Sequence, residues 1–258
     1  MTKIQYKPEY PEVSFVTCVS DWQMYEHCIV ASLGRMDSPE WIFERVPIDN
    51  SANRFSASQA LNLGLEQSKG KLIVFCHQDV VFPRGWLSKL FAQIEELEEQ
   101  VASWGVIGLA GRCADGSKSG HVIDPRGEIF HPPLPRQVQT LDELCLIIRK
   151  DSGLRFDEYF DHFHLYGADL CLMAACRGAR CFTVDCCLEH LSSGNKCQGW
   201  RQQKEKLIKK WWPKSQVVGK KICTTSGTIR LHSPLVRFIR RIKRFTLIKW
   251  LLRNNLGR

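Results

Sequence analysis

Residues 71–83 read KLIVFCHQDVVFP, an apolar run that stops at three polar side chains. Lys71–Phe75 has the composition and length of a buried β-strand, and His77, Gln78 and Asp79 follow this run. The next residues contain a proline and predict a turn. A strand without polar interruptions is typical of a sheet that is covered on both faces.

The residues around this strand alternate between short apolar runs and amphipathic stretches. The pattern predicts strands at Val13–Ser20, Trp41–Ile48 and Lys71–Phe75, and helices at Trp22–Met36, Ser56–Ser68 and Trp86–Val101. Strands and helices in this order predict an α/β fold with right-handed crossovers and a parallel sheet between two layers of helices. Ligands bind beyond the carboxyl ends of such strands, so we expect the chemistry at Asp49, Asn50 and residues 77–79.

Beyond Trp104 the alternation is less regular. We expect short strands at Gly105–Ala110, Glu143–Arg149 and Cys181–Val184, and helices at Gly167–Cys176 and Trp200–Trp211. Residues 111–136 are rich in Gly and Pro and are predicted to form a loop. The composition, with 44% hydrophobic and 24% charged residues, indicates an ordinary globular protein rather than a disordered or fibrous one.

The positive charge is confined to the C-terminal part of the chain. The net charge is +9, yet no acidic residue follows Glu205, and residues 206–258 hold 15 Lys and Arg side chains. We therefore predict a domain at 1–205 and a basic tail at 206–258. Residues 234–253 place apolar side chains near one helical face but lack the ~20 unbroken apolar residues of a membrane span.

This tail predicts an amphipathic helix that lies on an anionic membrane surface or binds an acidic partner. An amphipathic helix packed on the domain is the alternative. Nucleic acid is not an expected partner, because the sequence contains no helix-turn-helix or zinc-finger pattern.

Twelve cysteines raise the question of disulfides. The first residues contain no apolar stretch long enough for a secretory signal, so we expect a reducing compartment and free thiols that pack as small apolar side chains. Together with the tail, this predicts a cytoplasmic protein at the inner face of the cell membrane. Cys186, Cys187, His190 and Cys197 form an alternative zinc site, which the lack of paired CxxC motifs makes the weaker interpretation.

Three polar residues are candidates for the chemistry. Asp79 ends a strand, where its carboxylate either binds Mg²⁺ or Mn²⁺ or caps a turn. Asp169 falls in the first turn of a predicted helix, where it is either a general base or a favourable charge at the helix N-terminus. His190 precedes a Ser-Ser-Gly-Asn loop and is either a metal ligand or a structural histidine.

The stretch from Ala60 to Pro83 resembles the inverting family-2 glycosyltransferases of the GT-A fold. It contains, in their order and spacing, an Asn-x-Gly helix, a strand that follows Gly-x, and HQD in place of a DxD-like metal motif. TLDELCL at 140–146, LRFDE at 154–158 and the segment 169–178 resemble the acceptor half of a bacterial subgroup of that family. The resemblance covers about residues 13–195.

This resemblance implies a Rossmann-like, mixed and mainly parallel sheet flanked by helices. The nucleotide-binding half would span about 13–110 and the acceptor half about 111–205. The resemblance assigns the donor contacts to Asp49, Asn50, Asn62, His77 and Gln78, the metal ligands to His77, Asp79 and His190, and the base to Asp169. The implied metal is Mn²⁺ or Mg²⁺, and an imidazole at position 77 favours Mn²⁺ if it ligates.

The implied reaction moves a sugar from a nucleotide-diphosphate donor to a hydroxyl of a glycan or lipid-linked acceptor, with inversion at the anomeric carbon. Assembly of a bacterial surface polysaccharide or glycolipid would use such a transfer. The alternative is a catalytically silent nucleotide-sugar-binding protein, since a histidine replaces the first carboxylate of the metal motif.

Overall fold

The computed structural model describes residues 11–36, 41–192 and 198–233. The N-terminal half alternates strands with helices, as the apolar pattern predicts. Its elements are β1 (Val13–Val19), α1 (Trp22–Tyr25), a π-helical turn (Glu26–Val30), α2 (Ala31–Gly34), β2 (Phe43–Asp49), α3 (Ala57–Gln67), β3 (Leu72–Cys76), β4 (Val80–Val81) and α4 (Trp86–Gln100).

The C-terminal half contains eleven strands and three further helices in its described residues. They are β5 (Trp104–Gly108), β6 (Ala110–Arg112), β7 (Lys118–Asp124), β8 (Gly127–His131), β9 (Arg136–Val138), β10 (Thr140–Leu141), β11 (Cys145–Arg149), α5 (Tyr166–Cys176), β12 (Arg180–Thr183), β13 (Glu189–His190), α6 (Gln198–Trp211), α7 (Ser215–Val218), β14 (Lys221–Thr224) and β15 (Gly227–Arg230).

The main sheet has seven strands in the order β2-β1-β3-β11-β5-β12-β9. β1 runs parallel to β2 and β3, and β12 runs parallel to β5, whereas β11 is antiparallel to both of its neighbours. Side chains of β3 alternate between two cores: Ile73 and Phe75 join the one that contains α3, and Val74 joins the one that contains α4. The predicted mixed, mainly parallel α/β fold is confirmed.

A second sheet, with strand order β10-β6-β7-β13-β4 and β8 paired to β7, corrects the predicted loop at 111–136. β7 and β8 are partly exposed, so they lack the apolar runs by which buried strands are recognised. Gly120 has a φ of +133°, and a Cβ there would lie 2.1 Å from the Leu109 carbonyl oxygen. In this segment a glycine permits close strand contact instead of marking a loop.

Helix α3 packs directly on β1. Ser56 caps the start of the helix in a capping box with Gln59. A Cβ at Gly64 would lie 2.2 Å from Val16 Cγ1, so this glycine lets the helix approach the sheet. The asparagine two residues earlier, Asn62, is buried and faces the segment that follows β11.

Residues 206–233 pack on the domain. α6 begins at Gln198 and continues to Trp211, so a division at 205 would fall inside this helix, whose Leu207 and Trp211 are buried. The predicted membrane-binding segment 234–253 lies outside the described residues. In the described ranges, every helix is too short or too polar to cross a bilayer.

Candidate active site

His77, Asp79 and His190 meet at the carboxyl end of β3. One ligand atom from each lies within 4.8 Å of the others. His190 reaches this position because β13 pairs antiparallel with β4, where His190 lies opposite Val80 and Leu191 N donates to the Asp79 carbonyl. The second sheet therefore completes a cluster that begins on the first.

Electrostatics keep this cluster ready to bind a cation. Burial raises the pKa of Asp79, but a hydrogen bond and the charge from His190, with a hydrogen bond from Ser192, outweigh burial and hold the pKa below its ordinary value. Burial, reinforced by His190, lowers the pKa of His77, so its imidazole is neutral and one ring nitrogen carries the lone pair that a metal requires. Two imidazoles and one carboxylate form a donor set that suits divalent transition metals such as Mn²⁺.

The hydrogen bonds around the cluster orient its rings. His77 Nδ1 lies 3.4 Å from His190 Nε2, and His77 Nε2 lies 3.4 Å from the Tyr166 hydroxyl. His190 Nε2 also lies 3.4 Å from Asp79 Oδ1 and 3.3 Å from Ser192 Oγ. The Tyr166 contact involves the ring nitrogen of His77 that faces away from His190, and a contact of this kind fixes the orientation of a ligating histidine.

A cavity of 190 Å³ adjoins the cluster. Its walls come from the ends of β1 and β3, from α3, from the start of α5 and from the segments that precede β11 and α5; the lining residues are Cys18, Ser20, Ala57, Leu61, Phe75, Cys76, His77, Gln78, Asp79, Glu143, Phe163 and Tyr166. Gln78 joins the two strand ends, because its Oε1 accepts from the backbone N–H groups of Ser20 and Asp21 at 2.8 and 3.0 Å. The predicted donor residues His77 and Gln78 thus lie together in one wall.

Asp49 lies at the same edge, at the end of β2. Its Oδ1 accepts from the indole N–H of Trp22 and from Ser51 N, both at 3.1 Å. Hydrogen bonds from Ser51 and Trp22 lower the pKa of Asp49, so the carboxylate is anionic. Trp22 is 41% exposed and gives this edge a flat aromatic surface.

The structure places the two predicted asparagines away from the cavity wall. Asn50 is buried and exchanges hydrogen bonds with the backbone of Phe55, which closes the loop after β2. Asn62 binds the backbone N–H and carbonyl of Phe156 and the carboxylate of Glu158. Both side chains therefore hold backbone segments in place, and their role as donor contacts stays a prediction that this geometry does not favour.

Asp169 is also remote from the cavity wall. Its carboxylate is buried and accepts from Lys210 Nζ at 2.8 Å and from Trp211 Nε1 at 2.7 Å. Burial raises the pKa of Asp169 to about 6, against the opposing charge of Lys210. The role of base stays a prediction for Asp169, but a carboxylate with both oxygens occupied suits an anchor for α6 better.

Glu143 is a cavity residue that the sequence analysis did not select. It precedes β11, whose first residues lie beside the end of β3, and the His77 N–H donates to the Leu144 carbonyl at 3.1 Å. Burial, together with the charge of Asp142, raises the pKa of Glu143 to about 8. The signal in the sequence was the carboxylate pair of Asp142 and Glu143 directly before an apolar strand.

Comparisons with known proteins identify the family and the fold. Residues 14–211 match the model of a family described as "Glycosyltransferase like family". A protein of Fuscovulum blasticum described as "ATP synthase subunits region ORF 6" is 32% identical over 159 residues, which are 58% of this chain and 64% of that protein. The chain therefore spans less than two thirds of this relative.

Two solved glycosyltransferase structures are similar in fold. The crystal structure of GalNAc-T7 with UDP, GalNAc and Mn²⁺ matches with a TM-score of 0.58 and 12% identity, over 82% of this chain and 50% of that one. The mannosyltransferase PcManGT of Pyrobaculum calidifontis, in complex with GDP-Man and Mn²⁺, matches with a TM-score of 0.50 and 15% identity, over 82% and 68%.

Proposed function

Since the chain belongs to the glycosyltransferase-like family, we propose that it transfers a sugar from a nucleotide-diphosphate sugar to an acceptor hydroxyl. The observation that carries this proposal is the group of His77, Asp79 and His190 beside a cavity at the carboxyl edge of the main sheet. Ligands bind at this edge in open α/β sheets. The two similar folds hold a nucleotide or nucleotide sugar together with Mn²⁺.

The three clustered residues would hold a divalent metal, with Mn²⁺ favoured by the imidazoles. Such an ion supplies positive charge beside the diphosphate that departs from the sugar. Asp79 contributes the anionic ligand, because its lowered pKa keeps it ionised, and Tyr166 orients His77 from the opposite side of the ring.

The donor would extend from the cluster along the cavity. Gln78 and Ser20 line the part that joins β1 and β3, where their polar atoms can contact the ribose or the diphosphate. Trp22 and Asp49 lie at the neighbouring strand end, where an aromatic face and a carboxylate can receive the base and its polar edge. The sugar would lie towards Tyr166 and Phe163.

For the acceptor, we propose a glycan or a lipid-linked hydroxyl, and a single displacement with inversion. The basic composition of residues 206–258 supports attachment of the enzyme to an anionic membrane surface through 234–253, at the cytoplasmic face. A carrier lipid in that surface would then present its hydroxyl or its growing glycan to the cavity.

Asp79→Asn tests the proposal. The variant keeps the size of the side chain and removes the anionic ligand, so release of UDP or GDP from a panel of UDP- and GDP-sugars with Mn²⁺ should fall on the order of a hundredfold or more. Thermal stabilisation by UDP or GDP plus Mn²⁺ should fall with it. Asp151→Asn, a matched change at an exposed aspartate outside the cavity wall, should leave both measurements unchanged.

Three results would contradict the proposal. They are full turnover by Asp79→Asn, full turnover by the unmodified protein in excess EDTA, and no turnover of any donor. Nucleotide binding without turnover would instead support a silent nucleotide-sugar-binding protein.

A further inference from the structure

The segment between β10 and β11 brings a second carboxylate to the cavity. β11 runs antiparallel to β3, with Cys145 opposite Cys76, so the residues before β11 lie beside those after β3. The hydrogen bond from His77 N to Leu144 O extends the pairing of the two strands by one residue beyond Cys76 and Cys145. Glu143 therefore reaches the cavity wall next to the metal-binding cluster.

Asp142 and Glu143 are neighbours with different environments. Asp142 accepts from Leu144 N at 3.2 Å and from the Thr225 hydroxyl at 2.6 Å, so both of its oxygens are occupied. Glu143 accepts from Gly167 N at 3.3 Å, and the backbone N–H groups of Leu165 and of Glu143 itself also donate to its carboxylate. Partial burial and the neighbouring charge raise the pKa of Glu143 to about 8. A carboxyl group whose pKa lies near neutral pH is suited to general acid–base catalysis.

Glu143 also lies between two openings. One is the 190 Å³ cavity, and the other is a narrow cleft of about 10 Å³ lined by His164, Trp200, Thr225 and Ser226 among others. A void of this size holds about one water molecule. A water molecule in this cleft would receive a proton that Glu143 takes up from the cavity side.

The remaining carboxylates near the cavity are committed to other contacts. Asp79 belongs to the metal-binding cluster, and Asp169 is held by Lys210 and Trp211. Among the described residues that line the cavity, the carboxylates are those of Asp79 and Glu143. Glu143 is therefore the carboxylate placed to meet an incoming hydroxyl.

We propose that Glu143 is the general base of the transfer, an assignment that rests on the proposed function. Glu143 takes the proton from the acceptor hydroxyl as the oxygen forms its bond to the anomeric carbon. The bond between that carbon and the donor phosphate oxygen breaks, and its electron pair leaves with the nucleoside diphosphate. The proton on Glu143 then passes to water.

Gly167 positions this base. Its N–H binds Glu143 Oε1, and a Cβ at residue 167 would lie 3.0 Å from Glu143 Cγ. Glycine at the start of α5 thus lets the glutamate approach the helix N-terminus, where the backbone N–H holds the carboxylate towards the cavity.

Glu143→Gln tests the assignment, since glutamine still accepts from Gly167 N but cannot take a proton. With a donor from the UDP- and GDP-sugar panel and Mn²⁺, water serves as the acceptor when no other is known. The kcat for nucleotide release should fall about a hundredfold or more, while the KM for the donor stays within about threefold. Glu99→Gln, the same change at an exposed glutamate of α4, should behave as the unmodified protein.

Glu143→Ala with azide separates a base from a structural residue. Azide is already an anion at neutral pH and needs no base, so it should attack the anomeric carbon, form a glycosyl azide and restore nucleotide release. An unchanged kcat in Glu143→Gln, a parallel loss of Mn²⁺–UDP or Mn²⁺–GDP binding, or no rescue by azide would each overturn the assignment. If the unmodified protein releases no nucleotide from any donor, the proposed function itself fails.

Discussion

Lys210→Met should strongly destabilise the protein at a pH at which Asp169 is ionised. Lys210 lies on α6 and its ammonium contacts two carboxylates, Asp157 at 2.6 Å and Asp169 at 2.8 Å. The side chain of Asp169 is 1% exposed, so water cannot replace the lost cation. Methionine keeps the apolar stem of lysine and removes only its charge.

The magnitude follows from the burial of the carboxylate. Removing one partner of a buried ion pair costs about 3–5 kcal/mol, because the other charge stays buried and uncompensated. For a domain of this size each kcal/mol shifts the melting temperature by roughly 2–4 °C, so a fall of about 10 °C is expected. Trp211 Nε1 still donates to Asp169 in the variant and keeps the loss within this range.

The cost should depend on pH. The pKa of Asp169 is about 6 in the folded protein, above its ordinary value of 3.8. Because the pKa is raised, the folded state binds the proton of Asp169 more tightly than the unfolded state does. Protonation of Asp169 therefore stabilises the folded protein in full below about pH 4, and this stabilisation is lost as the pH rises through about 6. The Lys210→Met penalty should therefore be largest near pH 8 and small near pH 4.5, where Asp169 carries a proton in the folded state.

Urea unfolding at the two pH values, followed by tryptophan fluorescence, measures the effect. Lys206→Met is the matched control on the same helix, because Lys206 pairs with an aspartate, Asp161, that is 59% exposed. An exposed pair contributes about 1 kcal/mol or less, with little dependence on pH. Equal losses for the two variants, or the same Lys210→Met loss at both pH values, would refute the buried-charge explanation.

Two further predictions concern Asn62, which holds the backbone of Phe156 in place, and Gly64, where α3 packs closely against β1. Asn62→Ala should lower the free energy of unfolding in urea by roughly 2–3 kcal/mol, because it leaves buried backbone groups of Phe156 unpaired. The affinity for UDP plus Mn²⁺ should not change, and weaker nucleotide binding would support Asn62 as a donor contact. Gly64→Ala should lower the melting temperature, since the 2.2 Å approach to Val16 outweighs the ~1 kcal/mol that alanine adds in a helix. Gly34→Ala is the control, since no atom lies within 4 Å of the added Cβ, and it should raise the melting temperature slightly. If Gly64→Ala has the higher melting temperature of the two variants, α3 moves to accommodate the methyl group.

The sequence predicted those helices and strands whose local pattern of apolar residues matches their burial in the structure. β3 lies within one residue of its predicted bounds, and α4 and α5 begin or end within one residue of theirs, because each is a continuous apolar or amphipathic run. β6 to β9 were missed, because their pairing depends on neighbours across the second sheet and their glycines resemble those of a loop. The periodicity of apolar residues along the sequence does not indicate which strands pair with one another.

The candidate site was predictable only in part. His77 and Asp79 follow an apolar strand, and His190 follows a second one, so the position at strand ends indicated all three. Asn62 and Asp169 have the residue types of ligand contacts, but their partners lie 94 and 41 residues away in the sequence and use up their polar atoms. No local pattern distinguishes a side chain that binds a substrate from one that binds its own backbone.

The pairing of β4 with β13 also has a consequence for how the protein is made. His77 and His190 are 113 positions apart, so the ligand set is incomplete until synthesis has passed residue 190. A ribosome-bound chain that has emerged only as far as the first three strands can form a parallel sheet edge but cannot retain an ion there. An ion in the finished site would bridge the two ends of this long loop, and its binding energy would add to the stability of the whole domain. A chelator should then make the folded enzyme easier to digest with proteases at positions far from the metal.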